Sequence, residues 1–390
     1  MLTQIINGRI LTPQGWLKDG SVLICDGKIL EVTNSDLAVI GATVVDARGM
    51  TIVPGFVSMH AHGGGGHDFT EATEDAFRKA TTAHLKHGAT SMFPTLSSTS
   101  FERLYQAVDV CEKLMKEPDS SILGLHIEGP YLNPKMAGSQ YDGFLKTPDE
   151  NEYVPLLEHT DCIKRWDISP ELHGAHDFAQ YTRSKGIMTA VTHTEAEYDE
   201  IKAAYAVGFT HAAHFYNAMP GFHKRREYKY EGTVESVYLT GGMTVEVIAD
   251  GIHLPATILK LVYKLKGVEN TCLVTDALAY AAYEGNEPID PRYIIEDGVC
   301  KMADHSALAG SLATMDVLVR TVVKKANIPL EDAVRMASET PARLIGVSER
   351  KGTLAKGKDA DIVILDKELN VRCVWSMGKI VPGTDNLLHK

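Results

Sequence analysis

The chain has 390 residues, of which 44% are hydrophobic and 23% are charged. These values are typical of a folded globular protein and exclude a disordered or fibrous chain. The formal net charge is −12, which argues against nucleic acid as a partner, because phosphate backbones attract basic surfaces.

Nothing in the sequence indicates export or a membrane. The N-terminus lacks the basic start and apolar run of a signal peptide, and no stretch reaches the roughly 18 apolar residues that a membrane span requires. The six cysteines show no CxxC spacing, which favours buried free thiols. We therefore expect a cytoplasmic protein that does not bind membranes.

Both ends of the chain are rich in short β patterns. Asn-Gly and Asp-Gly dipeptides within them tolerate the positive φ of hairpin turns. The patterns lie at 5–10, 23–30, 361–366, 371–375 and 377–380. Because chain termini often lie close together, we predict that residues 1–53 and 346–390 form one small β-sandwich domain.

The middle of the chain, residues 54–345, alternates between apolar β runs and helical patterns. A capping-box pattern, Thr99 to Glu102, predicts the start of one helix. Such alternation predicts an α/β fold, and eight strands predict a (β/α)₈ TIM-like barrel. An open doubly wound sheet is the alternative, because alternation alone does not establish that the sheet closes. The eight predicted strands are 56–62, 89–95, 122–128, 163–169, 188–194, 210–215, 243–250 and 271–276.

Imidazoles and carboxylates stand at the ends of several of these strands. His60 and His62 end the first one, and a spacing of two places both on the same face. Glu128 ends the third strand, where a buried carboxylate is costly unless it meets a charge or a metal. A salt-bridged glutamate is the alternative for Glu128, and His126 on the same face could hydrogen-bond a ligand.

Three further side chains complete this pattern. His193 and His214 close the fifth and sixth strands, whereas His211 is a poorer ligand candidate. Imidazole and carboxylate together suit Zn²⁺ or Fe²⁺. Asp276 ends the eighth strand and is a candidate general acid and base, with a helix N-cap as the alternative role.

Five short sequence motifs resemble those of the amidohydrolase superfamily and, within it, of the N-acetylglucosamine-6-phosphate deacetylase family. The resemblance covers most of the chain. The resemblance implies that Glu128, His193 and His214 bind the main divalent metal, most simply Zn²⁺. It implies that His60 and His62 add a second metal where two are bound, with Glu128 bridging, and that Asp276 is catalytic. The motifs lie at 125–131, 214–219, 248–253, 273–277 and 308–312.

The same resemblance implies a substrate and a set of contacts to it. The expected reaction is deacetylation of N-acetylglucosamine 6-phosphate to glucosamine 6-phosphate and acetate by a homodimer. Gln140 belongs to a lid and can donate to the substrate carbonyl, and Asn217 with Ala218 receives the sugar phosphate. His253 and Arg226, or Arg225 in a shifted alignment, resemble phosphate or sugar contacts, one of which comes from the neighbouring subunit in this family.

Other functions stay open at this point. Another amidohydrolase could act on a different N-acetylated amino sugar, or as a cyclic amidase or a deaminase. A barrel without catalysis could bind sugar phosphate as a sensor. The basic run at 223–229 favours an anionic substrate over a nucleobase, and Asp276 beside a full ligand set favours an enzyme over a sensor.

Overall fold

The computed structural model describes residues 2–34 and 38–385. Its strands are β1 Leu2–Thr12, β2 Gly15–Cys25, β3 Lys28–Thr33, β4 Thr43–Asp46, β5 Thr51–Pro54, β6 Phe56–Ala61, β7 Gly63–Gly64, β8 His67–Asp68, β9 Ala89–Leu96, β10 Leu125–Glu128, β11 Ile163–Ile168, β12 Met188–Val191, β13 Phe209–Ala212, β14 His223–Arg225, β15 Tyr228–Tyr230, β16 Thr244–Ile248, β17 Thr271–Val274, β18 Tyr293–Glu296, β19 Val299–Met302, β20 Ile362–Leu365, β21 Val371–Ser376 and β22 Lys379–Ile380. Its α-helices are α1 Glu74–Lys86, α2 Phe101–Met115, α3 Glu150–His159, α4 Ala175–Ser184, α5 Tyr198–Val207, α6 Thr233–Leu239, α7 Ala256–Lys266, α8 Met315–Lys324, α9 Leu330–Ala337 and α10 Glu339–Leu344.

Eight parallel strands form the centre of the molecule, in the order β17-β16-β13-β12-β11-β10-β9-β6. Each corresponds to one of the eight strands predicted from the sequence. The two edge strands meet just past their ends, where the Asp276 N–H donates to the His60 carbonyl (3.1 Å) and the His62 N–H donates to the Ala277 carbonyl (2.8 Å). These bonds bring the sheet to a nearly closed barrel, so the expected (β/α)₈ architecture is confirmed and the open sheet is excluded.

The helices pack their apolar faces around this barrel. In α2 the buried residues are Leu104, Ala107, Val108, Cys111 and Leu114, which share the core-facing side of the helix.

The capping prediction for α2 was wrong by one residue. Ser100, not Thr99, is the N-cap, and its side chain accepts from the Arg103 N–H at 3.2 Å. Both hydroxyl residues precede the apolar run, and backbone geometry selects between them.

Both chain ends contribute to a second sheet, in the order β22-β21-β20-β5-β1-β2-β3, with β4 paired to β1. Strand β5 joins the two ends, because it pairs in parallel with β1 and antiparallel with β20. This sheet surrounds a core of its own, which includes Ile10, Val22, Ile52, Ile362 and Trp375. The predicted domain boundaries at 53/54 and 345/346 stay predictions.

All six cysteines lie in the described ranges, and none forms a disulfide. Over these same ranges, the structure contains no helix with the length and apolar character that crossing a membrane requires.

Candidate metal centre

The predicted ligands and the predicted catalytic residue, Asp276, meet at the carboxyl ends of the barrel strands. His60 lies within β6 and Glu128 is the last residue of β10, whereas His193, His214 and Asp276 each lie two residues beyond a strand. Parallel strands end at the same rim of a barrel, so residues far apart in sequence converge there.

Three of these residues have unusual backbone conformations. The φ angles of His193, His214 and Asp276 are 43°, 27° and 46°. Such positive values are uncommon for residues other than glycine and cost free energy. The turn after each strand therefore holds its side chain in place against a local preference, as is common at functional sites.

Glu128, His193 and His214 form the first candidate metal group. One potential ligand atom from each lies within 4.8 Å of the others, and all three residues are buried. The Glu128 Oε1 atom is 2.9 Å from His214 Nε2 and 3.5 Å from His193 Nε2.

His60, His62 and Asp276 form a second group beside it. The Asp276 Oδ1 atom is 3.3 Å from His60 Nε2 and 3.2 Å from His62 Nε2. Glu128 reaches this group as well, because its Oε2 atom is 3.2 Å from His62 Nε2. The Glu128 carboxylate thus lies between the two groups, as a bridging ligand would.

The outer nitrogens of the first pair of imidazoles bond to main-chain carbonyls. His193 Nδ1 donates to the Met136 carbonyl at 2.6 Å, and His214 Nδ1 donates to the Asn217 carbonyl at 3.1 Å. With the proton on Nδ1, each Nε2 presents a lone pair toward Glu128, which is the form a metal ligand needs.

The electrostatics of the cluster call for positive charge at its centre. Burial raises the pKa of Glu128, but the charge of the His60 imidazole and the adjacent His193 and His214 rings outweigh it, so this pKa lies well below the usual value. Burial lowers the pKa of His62, but hydrogen bonds to Asp276 and Glu128 raise it to about 9. The carboxylates therefore attract cations, and a divalent metal fits the donor set.

A layer of buried charge beneath the cluster was missed in the sequence. Glu246 lies within β16 and has 0% exposure. Its Oε1 atom accepts from His60 Nδ1 (2.6 Å) and from the His214 N–H (3.1 Å), and Arg165 donates to its Oε2 atom at 2.5 Å. One carboxylate thus connects a candidate ligand from each group to a guanidinium.

Arg165 continues this layer to the other side of the barrel. It donates to Asp167 through two nitrogens, at 2.8 Å and 2.5 Å, and the other Asp167 contact is His126 Nε2 at 3.0 Å. His60, His126 and Asp167 also have the spacing of a metal group, but the Arg165 guanidinium already supplies the positive charge there. His211 lies beside Glu246 (3.3 Å) and outside the candidate metal groups.

A signal for this layer was present in the sequence. Arg165 and Asp167 are two residues apart in a strand whose residues are buried except for Lys164, and Glu246 interrupts the apolar run 243–250. Charged residues at strand period within a buried strand face the barrel interior together, where they must be paired.

A cavity of about 950 Å³ opens above the cluster, and four of the five predicted substrate contacts line it. These are Gln140, Asn217, Ala218 and His253. Gln140 Nε2 donates to Glu128 Oε2 at 2.7 Å, and Gln140 Oε1 accepts from the Ser98 N–H at 2.9 Å.

Arg226, the fifth predicted contact, lies outside the wall of this cavity. It sits in the turn between β14 and β15 and is exposed. Arg225 is engaged elsewhere too, since it pairs with Glu197 and its guanidinium carbon lies 4.6 Å from the ring centroid of Tyr230. A role for Arg226 at substrate requires a neighbouring subunit and stays a prediction.

The cavity is also lined by two cationic side chains that the sequence analysis did not single out, Lys135 and Arg292. Lys135 is largely exposed and lies 3.2 Å from Glu195. Arg292 is bound to Asp290 at 2.7 Å. Both belong to loops whose path depends on the folded barrel.

A family model described as the amidohydrolase family matches residues 51–381. The chain belongs to this family. Its catalytic members are metal-dependent, in agreement with the two candidate metal groups.

Two relatives match this chain over nearly the whole length of both proteins. The chain is 31% identical to the N-acetylglucosamine-6-phosphate deacetylase of Haemophilus influenzae, covering 97% of this chain and 98% of the relative. It is 27% identical to the N-acetylgalactosamine-6-phosphate deacetylase of Escherichia coli O157:H7, covering 97% and 99%.

Two solved structures of N-acetylglucosamine-6-phosphate deacetylases superpose on this chain over nearly its whole length. The N-acetylglucosamine-6-phosphate deacetylase of Pasteurella multocida superposes with a TM-score of 0.91 at 26% identity, covering 97% of this chain and 99% of that one. A mutant of the Mycobacterium smegmatis enzyme in complex with N-acetyl-D-glucosamine-6-phosphate gives 0.89 at 30% identity, covering 97% and 99%.

The buried layer leads to a prediction about metal binding. Glu246→Gln keeps the side-chain shape but removes the charge that orients His60 and balances Arg165. We expect metal affinity to fall roughly 10–100-fold, the usual effect of changing a partner of a ligand. Competition with a chelator, and metal content by mass spectrometry, measure this.

Glu269→Gln is the control, because Glu269 is an exposed ion-pair residue on the surface. It should bind metal as the unchanged protein does. Equal metal affinity in both variants would contradict the role of Glu246.

Proposed function

We propose that this protein hydrolyses the N-acetyl amide of N-acetylglucosamine 6-phosphate and releases glucosamine 6-phosphate and acetate. The observation that carries the proposal is the group of Glu128, His193 and His214 at the base of a large cavity, with the Asp276 carboxylate beside it. Full-length relatives and structural neighbours with this activity in their names support it.

Glu128, His193 and His214 would hold the main cation, and His60 with His62 would hold a second one next to Glu128. We propose Zn²⁺, because imidazole nitrogen and carboxylate oxygen suit it well, with Fe²⁺ as the alternative. When bound, such a cation acidifies water and polarises a carbonyl group.

Asp276 moves the proton in this proposal. Its side chain is 13% exposed, so it faces the cavity while its Oδ1 atom contacts two imidazoles. Burial raises its pKa, but the charge of His60 and a hydrogen bond from His62 lower it well below the usual value. An ionised carboxylate here can accept a proton from the attacking water and return it to the sugar nitrogen.

The rest of the cavity wall binds and orients the sugar. The Gln140 amide lies against Glu128 and can donate to the acetyl carbonyl without carrying charge. Asn217, Ala218 and His253 would bind the sugar and its phosphate. His253 is held in place by Asp250 at 2.7 Å and by the Ala309 carbonyl at 2.8 Å.

We further propose that the protein is a homodimer in which Arg226 of the partner subunit completes the phosphate site. The exposed position of Arg226 on the β14–β15 turn supports a reach toward another subunit. We place the protein in the cytoplasm, whose reducing conditions suit six unpaired cysteines.

N-Acetylgalactosamine 6-phosphate is the second candidate substrate. A full-length relative at 27% identity carries that name. The two sugars differ at one hydroxyl configuration, which the wall of the cavity must distinguish.

Steady-state kinetics test the proposed reaction. Metal-loaded protein should release acetate from N-acetylglucosamine 6-phosphate with a higher kcat/KM than from its galacto isomer or from either unphosphorylated sugar. Chelation should abolish turnover, and added Zn²⁺ should restore it. If acetate is released from none of the four sugars, the deacetylase proposal is refuted. Binding of a sugar without turnover would indicate a sensor.

Asp276→Asn tests the proton-transfer role. The amide keeps the size of the side chain but cannot accept the proton. We expect nearly unchanged metal content and a kcat lower by roughly 100-fold or more. Full activity in this variant would remove Asp276 from the mechanism.

Arg226→Ala tests the contact across the dimer. We expect a higher KM for the phosphorylated sugar, little change for the unphosphorylated one, and an unchanged kcat. An equal effect on both sugars would contradict phosphate recognition. Sedimentation of the variant, which should remain dimeric, separates this effect from loss of assembly.

A further inference from the structure

Two chain segments that line the cavity contact each other. One is the loop that follows β10 and carries Ser139, Gln140 and Tyr141, and the other is the loop before β18 that carries Asp290 and Arg292. All five residues line the cavity.

The Arg292 guanidinium spans the gap between these loops. Its central carbon lies 3.7 Å from the ring centroid of Tyr141 and 4.8 Å from that of Tyr293. One of its nitrogens also lies 3.5 Å from the Ser139 carbonyl oxygen. A planar guanidinium over an aromatic face is an attractive arrangement, and it is stronger where water is partly excluded.

The orientation of Arg292 is set from its own side of the cavity. Asp290 accepts from Nη2 at 2.7 Å and from Nε at 3.0 Å. The same loop is anchored through Tyr280, whose hydroxyl accepts from the Ile289 and Asp290 N–H groups at 2.8 Å and 3.1 Å. The guanidinium is therefore presented to Tyr141 by a supported loop.

The opposite loop connects to the metal group. Gln140 lies in the chain between Ser139 and Tyr141, the two residues of this loop that Arg292 contacts. Its side chain accepts from the Ser98 N–H and donates to Glu128 Oε2. A shift of Tyr141 or Ser139 would therefore move the amide that lies against Glu128.

We propose that Arg292 is a positioning residue that stacks on Tyr141 and thereby holds Gln140 at the metal group. The catalytic part of this statement rests on the proposed deacetylase function, whereas the contact between the two loops does not. The role belongs to the planar shape of the guanidinium as well as to its charge.

Direct phosphate binding is the competing role for Arg292, which is a cation in a cavity that would receive an anion. The contacts disfavour it. Two nitrogens already donate to Asp290, and tyrosine rings lie against the guanidinium. A phosphate contact would depend mainly on charge, and this difference separates the two roles.

Kinetics with four single variants and one double variant distinguish the two roles. Arg292→Ala, Arg292→Lys and Tyr141→Leu should each lower kcat/KM by roughly 10–100-fold, the cost of a misplaced group near the reaction. The loss should be equal for phosphorylated and unphosphorylated sugars. Tyr141→Phe keeps the ring and should retain activity, and the double variant R292A/Y141L should lose no more than either single one.

Hydrogen exchange provides a readout independent of turnover. Amides within 137–146 should exchange faster in Arg292→Ala and Tyr141→Leu than in the unchanged protein. Arg335→Ala removes a surface guanidinium that is paired with Glu339 and Glu269, and it should leave both exchange and kinetics unchanged. Comparable unfolding temperatures would confirm that all variants are folded.

Three outcomes would overturn the proposal. These are rescue by lysine together with a loss confined to phosphorylated sugar, unchanged exchange over 137–146 in Arg292→Ala, or additive losses in the double variant. If no sugar is turned over, the exchange result still decides whether Arg292 holds the loop, so the two proposals fail separately.

Discussion

The Glu128 carboxylate, buried among imidazoles, is the constraint on which the site depends. Its two oxygens lie between 2.9 Å and 3.7 Å from nitrogens of His60, His62, His193 and His214. A carboxylate removed from water is stable only when positive charge compensates it. Imidazolium groups or a divalent cation can supply that charge, so the arrangement that keeps Glu128 ionised is also one that selects for metal.

The requirement for compensation extends below the site. His60 cannot be held by apolar neighbours, because its other nitrogen needs a partner, and Glu246 provides it. Glu246 in turn needs Arg165, and Arg165 needs Asp167. Each buried charge is thus balanced by the next, and loss of one member would leave another unpaired at a cost of several kcal/mol. Apolar residues pack between the barrel and its helices, whereas this ionic layer lies inside the barrel, directly under the metal group.

Acidic residues line the cavity beyond the metal centre as well as within it. The protein carries a net charge of −12, and Asp68, Glu71 and Asp290 line the cavity in addition to the acidic groups of the metal centre. An anionic substrate therefore depends on a few local cations and on main-chain N–H groups, since the long-range field opposes it. This makes the fixed positions of the cavity loops important, because a short-range contact is lost with a small displacement.

Hydrophobic periodicity in the sequence determined the eight barrel strands, because strand pattern is a local property. The residues at the strand ends predicted a metal site, and the family resemblance added a second metal pair. The sequence left the α2 cap ambiguous between Thr99 and Ser100, and it concealed Glu246 and Arg292. Only the tertiary structure decided those points: the partners of Glu246 come from three other parts of the barrel, and Arg292 meets Tyr141 across two loops. Side-chain pairing between distant segments depends on barrel closure and loop path, which no local pattern encodes.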